Sequence, residues 1–319
     1  MSKPIIIVTG DLESVFFEIF FKSLKKKKIK SPIILICNLK YFETQKIKYK
    51  FQRIYQKCTI KEILKKKLNS QIMYLIDIEL ELSKKKLSIR NQKKYLNESF
   101  RVAFELLKKG VSNKLINGPI NKKNFLENKF LGITEYISNN FKIKKTGMLI
   151  YNKKFSVCPI TTHLPLKNVV NSIDVNIIKE KIKLVNEFYL KYLKLKPRIA
   201  VTGLNPHCES ILKFNEDEKI VKPAIKAMKN QNINVKGPFP ADTIFSSKNR
   251  CLYDVVIGMY HDQVLTPIKA LYEFDAINVT MGLPFLRTTP DHGPNKEMFG
   301  KNLSNPTSLI RALEFLDKK

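Results

Sequence analysis

Short apolar runs alternate with longer amphipathic stretches along most of the chain. Several runs are continuously apolar rather than alternating, which is typical of strands buried on both faces of a sheet. Eight runs predict β-strands, at residues 4–9, 32–37, 73–76, 114–117, 147–151, 156–161, 198–202 and 254–259.

Between these runs, apolar residues recur at helical spacing with Lys and Glu between them. We predict helices at residues 98–109, 175–193 and 216–229; Gly110 ends the first, and an acidic start suits the N-terminus of the last. Strands and helices that alternate on this scale predict an α/β layered fold with a largely parallel sheet. No repeat or Ser/Gly-rich linker marks a domain boundary. The sequence is therefore compatible with a chain that crosses between two domains more than once.

Composition narrows the class of protein. The 319 residues are 44% hydrophobic and 27% charged, which excludes a disordered chain. The apolar runs are far shorter than the ~20 residues of a membrane-spanning helix. The N-terminus enters a strand-like run directly, without the pattern of a secretion signal. We therefore expect a cytoplasmic protein with no membrane partner.

The charge balance is strongly basic. Lys and Arg number 58 against 28 Asp and Glu, a net charge of +30. Enrichment in Lys, Ile and Asn without Trp is typical of AT-rich coding sequence, and no nucleic-acid-binding motif accompanies the charge. We expect no specific nucleic-acid partner, and we keep a basic nucleic-acid binder on an enzyme fold as a distant alternative.

The five scattered cysteines form no CxxC pair, so neither a disulfide framework nor a thiolate zinc site is supported.

Three of the four histidines follow predicted strands. His163, His207 and His261 each come at or just past a strand end, beside Pro, Asn or Asp. Ligands of open α/β sheets bind at the carboxyl ends of the strands. Imidazoles from three such ends suit one divalent ion with positions left open for substrate, although each histidine taken alone also suits a loop or capping position.

A polar, cationic group follows the last of these histidines. It comprises Lys269, Asn278 and Arg287, which suit an anionic small substrate because Arg offers a planar fork and Lys a movable charge. The alternative is that these residues are ordinary surface charges.

The segment GPFPADT has two prolines that make a rigid turn before Asp242. The Asp242 carboxylate suits a general base, a metal or imidazole partner, or a helix N-cap. Neither GxGxxG nor a Walker A motif is present.

Seven motifs in one order resemble the 4-hydroxythreonine-4-phosphate dehydrogenase family of vitamin B6 biosynthesis. They are NGPINK at 117–122, GITEY at 132–136, TTHLPLK at 161–167, GLNPH at 203–207, GPFPADT at 237–243, YHDQ at 260–263 and GLPFLRTTPDHG at 282–293.

The resemblance implies a fold like that of isocitrate and isopropylmalate dehydrogenases. In it, two α/β/α domains flank an active-site cleft, and the approximate limits are residues 1–120 plus 275–319 and residues 121–274. It also implies a homodimer with a shared metal site. His163 and His207 match ligands from one subunit and His261 matches the ligand from the other.

The resemblance implies further roles as well. Thr134, Lys269, Asn278 and Arg287 match substrate-contacting positions. Asp242 and Lys269 are the candidates for moving the proton. Asp291, His292 and Gly293 are candidates for cofactor binding.

The implied reaction is a metal-dependent oxidation of a phosphorylated hydroxy-amino acid. NAD, with NADP as the alternative, takes a hydride from 4-phosphooxy-L-threonine, and Zn, Mg, Co or Mn stabilises the alkoxide. The resulting 2-amino-3-oxo-4-phosphooxybutanoate decarboxylates to 3-amino-2-oxopropyl phosphate, on the route to pyridoxal 5'-phosphate.

Departures from the family pattern keep other activities open. Ile133 stands where related chains have His in GHTEY, and residues 10–18 and 294–302 also diverge. The alternatives are a dehydrogenase of 4-phospho-D-threonate or 4-phospho-D-erythronate, and a catalytically silent metal-binding homologue.

Overall fold

The computed structural model describes residues 2–80, 88–127, 129–209, 214–291 and 293–319. Two compact units are present, residues 1–137 with 284–319 and residues 138–283, so the first unit is built from two separate segments of chain. The sequence leads us to expect limits at residues 120/121 and 274/275, and each lies before its observed counterpart, at 137/138 and 283/284.

The strands are short and mostly buried. They are β1 Ile5–Val8, β2 Ile33–Cys37, β3 Tyr55–Lys57, β4 Met73–Asp77, β5 Lys114–Asn117, β6 Gly147–Tyr151, β7 Ser156–Thr161, β8 Ile199–Thr202, β9 Val235–Phe239, β10 Val255–Tyr260, β11 Ile277–Met281 and β12 Leu286–Pro290.

The α-helices range from single turns to five turns. They are α1 Phe16–Lys26, α2 Leu39–Lys48, α3 Ile60–Lys65, α4 Ile89–Lys108, α5 Lys122–Leu126, α6 Ile133–Asn140, α7 Leu166–Val169, α8 Val175–Phe188, α9 Lys222–Lys229, α10 Ala241–Ile244, α11 Ser247–Arg250, α12 His261–Tyr272 and α13 Thr307–Asp317. A π-helical turn at Tyr189–Leu193 continues α8, and another at Asp217–Val221 precedes α9.

In the first unit, the described strands form a parallel sheet in the order β3-β4-β2-β1-β5-β12. Every residue of β1 and β2 is buried, as expected for central strands covered on both faces. Helix α4 packs against β1 and β2, whereas α1 packs against α2 and α13. The phenylalanines of α1 join an aromatic cluster with Phe42 and Phe51, which fills this part of the core.

In the second unit, the order is β11-β6-β7-β10-β8-β9. Strands β7, β10, β8 and β9 are parallel, and β6 runs antiparallel to both of its neighbours. Helix α12 packs against β7 and β10, and α8 packs against β6, β7, β11 and α9. An α/β fold with layered helices and a mixed sheet is therefore confirmed.

All eight predicted strands are present, with ends within one residue of the prediction. The predicted start of α4 at residue 98 is wrong, because the helix begins at Ile89 after the Ser88 N-cap, whose hydroxyl accepts from the Asn91 N–H. The two other predicted helices are present, each as an α-helix joined to a π-helical turn. Among the described residues, no helix has the length and apolar character needed to span a membrane.

Candidate active site

The three predicted metal-binding histidines follow three neighbouring strands of the second unit. His163 comes two residues after β7, His261 directly follows β10, and His207 comes five residues after β8. These strands are adjacent and parallel in the order β7-β10-β8, so their carboxyl ends share one edge of the sheet. Ligand sites of open α/β sheets form at this edge.

The structure brings two of these rings together within one chain. The ring centroids of His163 and His261 are 5.9 Å apart, with the planes inclined at 39°. Metal–nitrogen bonds of about 2.0–2.1 Å place the centroids of two imidazoles on one ion about 5–6 Å apart, so the separation fits a shared ion. The resemblance had assigned these two histidines to different subunits.

A carboxylate orients the second ring. Nδ1 of His261 lies 2.6 Å from Oδ1 of Asp262. When a histidine binds a metal through one nitrogen, the other nitrogen commonly donates to a carboxylate or carbonyl oxygen. This contact leaves Nε2 of His261 as the nitrogen suited to bind an ion. The donor chemistry of the pair therefore fits a divalent cation.

The backbone is strained at two of the three histidines. His163 and His207 have φ values of 55° and 56°, in the left-handed region, and Cys208 follows with 61°. Such conformations cost about 1–3 kcal/mol each and are frequent at functional sites. His207 itself is exposed. Within the described ranges, no three His, Cys, Asp or Glu side chains lie close enough together to hold one metal ion.

A buried carboxylate fixes the loop that carries His207. Asp217 accepts hydrogen bonds from the backbone N–H groups of Leu204 (2.7 Å) and Asn205 (3.0 Å), and Nδ2 of Asn205 donates to the same carboxylate (3.2 Å). Three donors compensate the burial of this charge. The loop after β8 is therefore held from below by the turn that precedes α9.

The other predicted residues of the second unit differ in their surroundings. Lys269 lies on α12, two turns beyond His261, and is half-buried. Nδ2 of Asn278 lies 3.4 Å from Sδ of Met148, whereas its Oδ1 is buried and has no hydrogen-bond partner among the described residues. A buried acceptor of this kind suits a ligand donor. Asp242 is exposed on α10, and its alternative role as an N-cap is wrong because Pro240 holds the cap position.

The first unit contains a buried cation at the start of a helix. Arg287, on β12, is 4% exposed; its Nε donates to Oδ1 of Asn117 (2.9 Å), and Nη1 donates to Oγ1 of Thr134 (3.1 Å). Thr134 is the second residue of α6, directly after the buried Ile133. A helix N-terminus and a guanidinium both attract anions.

Burial makes this arginine unusual. Desolvation lowers the pKa of Arg287 to about 10, although Glu135 acts in the opposite direction. Desolvation also lowers the pKa of Lys122, which begins α5, and the Arg287 cation lowers it further. The two cations therefore raise the local positive potential, and an anionic ligand would relieve the cost of burying them.

The ends of β1 and β5 meet just before Lys122, one of these two cations. The Asp11 N–H donates to the carbonyl oxygen of Pro119 (2.9 Å), and Oδ2 of Asp11 accepts from the Asn121 N–H (2.8 Å). A Cβ on Gly118 would lie 2.1 Å from the carbonyl oxygen of Thr9, so only glycine fits between the ends of β1 and β5.

The predicted cofactor segment comprises Asp291, His292 and Gly293. The Asp291 N–H donates to Oγ of Ser308 (2.9 Å), Gly293 is exposed, and His292 lies outside the described residues.

A family model described as "Pyridoxal phosphate biosynthetic protein PdxA" matches residues 28–316 of this chain. The chain belongs to the PdxA family. The relatives support a dehydrogenase activity. For example, the 4-hydroxythreonine-4-phosphate dehydrogenase of Sulfurihydrogenibium sp. is 34% identical over 314 residues, which cover 97% of this chain and 95% of the relative.

Solved structures agree with this membership. The 4-hydroxythreonine-4-phosphate dehydrogenase of Klebsiella pneumoniae superposes with a TM-score of 0.84 at 27% identity, covering 100% of this chain and 99% of that one. Isocitrate dehydrogenase of Methylococcus capsulatus superposes with a TM-score of 0.52 at 9% identity, over 99% and 85% of the two chains. The latter likeness concerns the fold alone and confirms the expected fold relationship of this PdxA family member.

Some residues of the site were not assigned a role from the sequence. Asn117 belongs to the NGPINK motif but has no role of its own in the sequence analysis, and its contact with Arg287 depends on the pairing of β5 with β12. Asp217 belongs to an acidic run that suggested only a helix start. Gln263 follows His261 in the YHDQ motif, and the contacts of its side chain became visible only in the fold.

Proposed function

We propose that the chain is a 4-hydroxythreonine-4-phosphate dehydrogenase. It oxidises 4-phosphooxy-L-threonine to 2-amino-3-oxo-4-phosphooxybutanoate, which decarboxylates to 3-amino-2-oxopropyl phosphate. The observation that carries the proposal is the pairing of His163 and His261 at 5.9 Å, at the carboxyl ends of adjacent strands, in a chain of this family. The enzyme works as a cytoplasmic homodimer.

His163, His207 and His261 hold a divalent ion, for which Zn, Mg, Co and Mn are the candidates. When bound, the ion acidifies the secondary hydroxyl of the substrate and stabilises negative charge on that oxygen. Asp262 contributes by orienting the His261 ring through its 2.6 Å contact with Nδ1. The backbone contributes by holding His163 and His207 in the left-handed region, which residues other than glycine rarely adopt.

The polar and anionic groups of the substrate are bound by Thr134, Lys269, Asn278 and Arg287. Arg287 and Thr134 present a guanidinium N–H, a hydroxyl and the first turn of α6 to a phosphate or carboxylate group. Lys269 adds a movable charge, and the buried Oδ1 of Asn278 accepts from a donor such as the substrate amino group. These contacts orient the hydroxyl-bearing carbon.

Two side chains are candidates for moving the proton. The carboxylate of Asp242 accepts a proton at Oδ, and the amine of Lys269 does so at Nζ when neutral. NAD, or NADP as the alternative, accepts the hydride when bound, and the segment Asp291–Gly293 is the candidate for holding it. Comparing the pH–rate profiles of D242N and K269M identifies the base, because only loss of the true base removes the corresponding ionisation.

The decisive experiment is a steady-state assay of the purified chain with NAD, a divalent ion and 4-phosphooxy-L-threonine. We expect NADH production that chelator abolishes and that H163A, H207A and H261A each reduce at least about 100-fold. Unchanged turnover in H207A would identify an activity that does not use the metal, and no turnover in the wild type would leave the silent homologue as the better description.

Ile133 favours a second candidate substrate class. An isoleucine that is 7% exposed at the start of α6 neither donates a hydrogen bond nor carries charge, so this helix N-terminus differs from that of chains with the GHTEY motif. A dehydrogenase of 4-phospho-D-threonate or 4-phospho-D-erythronate is therefore the alternative. Faster turnover of either D-compound in the same assay would replace the first assignment.

Mixed dimers determine how the ligands are shared between subunits. If His163 and His261 of one chain act on the same ion and His207 comes from the partner, co-expressed H163A and H207A chains regain one intact site per dimer, whereas H163A and H261A regain none. The arrangement implied by the resemblance gives the opposite result. The in-chain distance of 5.9 Å leads us to expect the first outcome.

A further inference from the structure

The side chain of Gln263 joins the carboxyl ends of two neighbouring strands. Its Oε1 accepts hydrogen bonds from the Met259 N–H (2.7 Å) and from Oγ1 of Thr202 (2.7 Å), and its Nε2 donates to the carbonyl oxygen of Gly203 (2.8 Å). Met259 belongs to β10, whereas Thr202 ends β8 and Gly203 follows it. One amide group therefore connects two segments about 60 residues apart in sequence.

The partners of this amide determine its orientation. The Met259 N–H needs an acceptor and the Gly203 carbonyl needs a donor, so oxygen and nitrogen cannot be exchanged. A glutamate of the same shape keeps the acceptor but places a second oxygen against the Gly203 carbonyl. The site therefore requires an amide rather than a carboxylate.

The two connected segments carry two of the proposed metal ligands. His261 comes two residues after Met259 and begins the helix on which Gln263 lies, and His207 comes four residues after Gly203. We propose that Gln263 is a positioning residue that holds the ends of β8 and β10, so that the His207 and His261 rings each keep their place at the carboxyl edge of the sheet. Its use in catalysis rests on the proposed function, whereas its positioning role can be measured without metal or substrate.

A matched control exists at the other end of the same two strands. Arg198, which precedes β8, donates from its guanidinium Nη2 to Oδ1 of Asp254 (2.9 Å) and from its backbone N–H to Oδ2 (2.8 Å), and Asp254 precedes β10. This pair also connects β8 with β10, but at the edge of the sheet remote from the histidines. If Gln263 only stabilised the sheet, breaking the connection at either end would have the same effect on the histidine rings.

The experiment compares Q263E with D254N in the full-length chain. Because the chain has only four histidines, the ring resonances of ¹³C-labelled histidine are resolvable by NMR. In metal-free Q263E we expect displaced signals for His207 and His261, with His163 shifted less, and we expect D254N to leave all of these signals in place. Removing the hydroxyl anchor in T202V gives a smaller displacement of the same two signals, and it serves as the test if Q263E folds poorly.

Metal affinity supplies the second measurement. Titration with Co²⁺, followed by its visible absorption, is expected to show affinity about 10–100-fold weaker in Q263E and within about twofold of wild type in D254N. Unmoved His207 and His261 signals in Q263E and T202V would overturn the positioning role. If the signals are displaced in Q263E but the wild-type chain binds no Co²⁺, the positioning role is supported and the proposed metal-dependent function is contradicted.

Discussion

At the scale of single residues, the Arg287 guanidinium of the first unit stands out because it is a buried charge. This buried cation donates to the neutral side chains of Asn117 and Thr134, and its desolvation lowers its pKa to about 10, although Glu135 opposes the shift. A cation buried on a strand whose other residues are uncharged suits a site that is completed by an anion.

A thermal shift with inorganic phosphate tests this interpretation. Ligand that binds only the folded state raises the melting temperature, so we expect saturating phosphate to raise Tm of the wild type by several °C. R287M should lose most of that rise, because it removes the buried charge. R311M, on the surface of α13, should keep it. An undiminished rise in R287M would place the anion elsewhere.

A second residue-scale prediction concerns the buried carboxyl of Asp11. Desolvation raises its pKa above 3.8, although the Asn121 N–H and Lys296 oppose the shift. A raised pKa in the folded state means that stability falls as the pH rises through that value. Urea unfolding should therefore show D11N gaining stability relative to wild type between about pH 4 and pH 7.

Asp254 provides a control of opposite sign. Its desolvation raises the pKa, but the hydrogen bonds from Arg198 outweigh this effect and leave the pKa below 3.8. D254N should therefore lose stability relative to wild type as the pH rises from about 2 to about 5, because the carboxyl ionises at lower pH in the folded state than in the unfolded state. Parallel pH dependence of the two variants would contradict the opposite directions of these shifts.

At the scale of elements, close backbone contact defines the candidate sites more than side-chain packing does. The ends of β1 and β5 approach so closely that a Cβ on Gly118 would lie 2.1 Å from the Thr9 oxygen. In the second unit, the loop after β8 is held by Asp217 and Gln263 through backbone N–H and C=O groups. Such contacts fix loops without requiring regular secondary structure.

Two glycine variants separate steric contact from backbone strain. G118A should lower the free energy of unfolding by about 3 kcal/mol, because the methyl group meets backbone atoms that have no room to move. G110A should cost about 1 kcal/mol, since its φ of 73° is strained for alanine but a Cβ there would have no neighbour within 4 Å. Denaturant titrations measure both, and equal losses would contradict the close approach.

At the scale of the whole molecule, the charge of +30 is the feature least explained by a small-molecule dehydrogenase. Many of the lysines are exposed, and several basic residues form ion pairs along helices, such as those of Arg101, Lys109 and Lys222. Exposed pairs of this kind contribute little to stability. A general surplus of surface charge attracts polyanions without selecting among them.

Salt dependence separates general attraction from a nucleic-acid function. We expect the chain to bind duplex DNA at about 10 mM salt and to lose that binding by about 0.2 M, because counterion release alone drives it. Fluorescence anisotropy over this range measures the effect, with a net-neutral protein of similar size as the control. Binding that persists at 0.2 M salt and depends on sequence would favour the nucleic-acid-binding alternative.

The sequence by itself determined the central strands and the class of fold. Runs such as Ile33–Cys37 are apolar at every position, so burial on both faces follows from local composition. Strands without that signal were not predicted. Strand β3 is an exposed edge of polar residues, β9 contains Gly237 and Pro238, and β12 carries Arg287 and two threonines. The motif order also established the family resemblance, which the family model and the relatives confirm.

Only the tertiary structure decided which side chains meet. The pairing of His163 with His261 depends on the strand order β7-β10-β8, and the contact of Arg287 with Asn117 depends on β12 lying beside β5. Strand order is a property of the whole sheet, because it is set by the packing of helices and crossovers rather than by any local run of residues. For the same reason, the contacts of Gln263 and Asp217 have no signature in the sequence, although these residues hold the loops on which the proposed site depends.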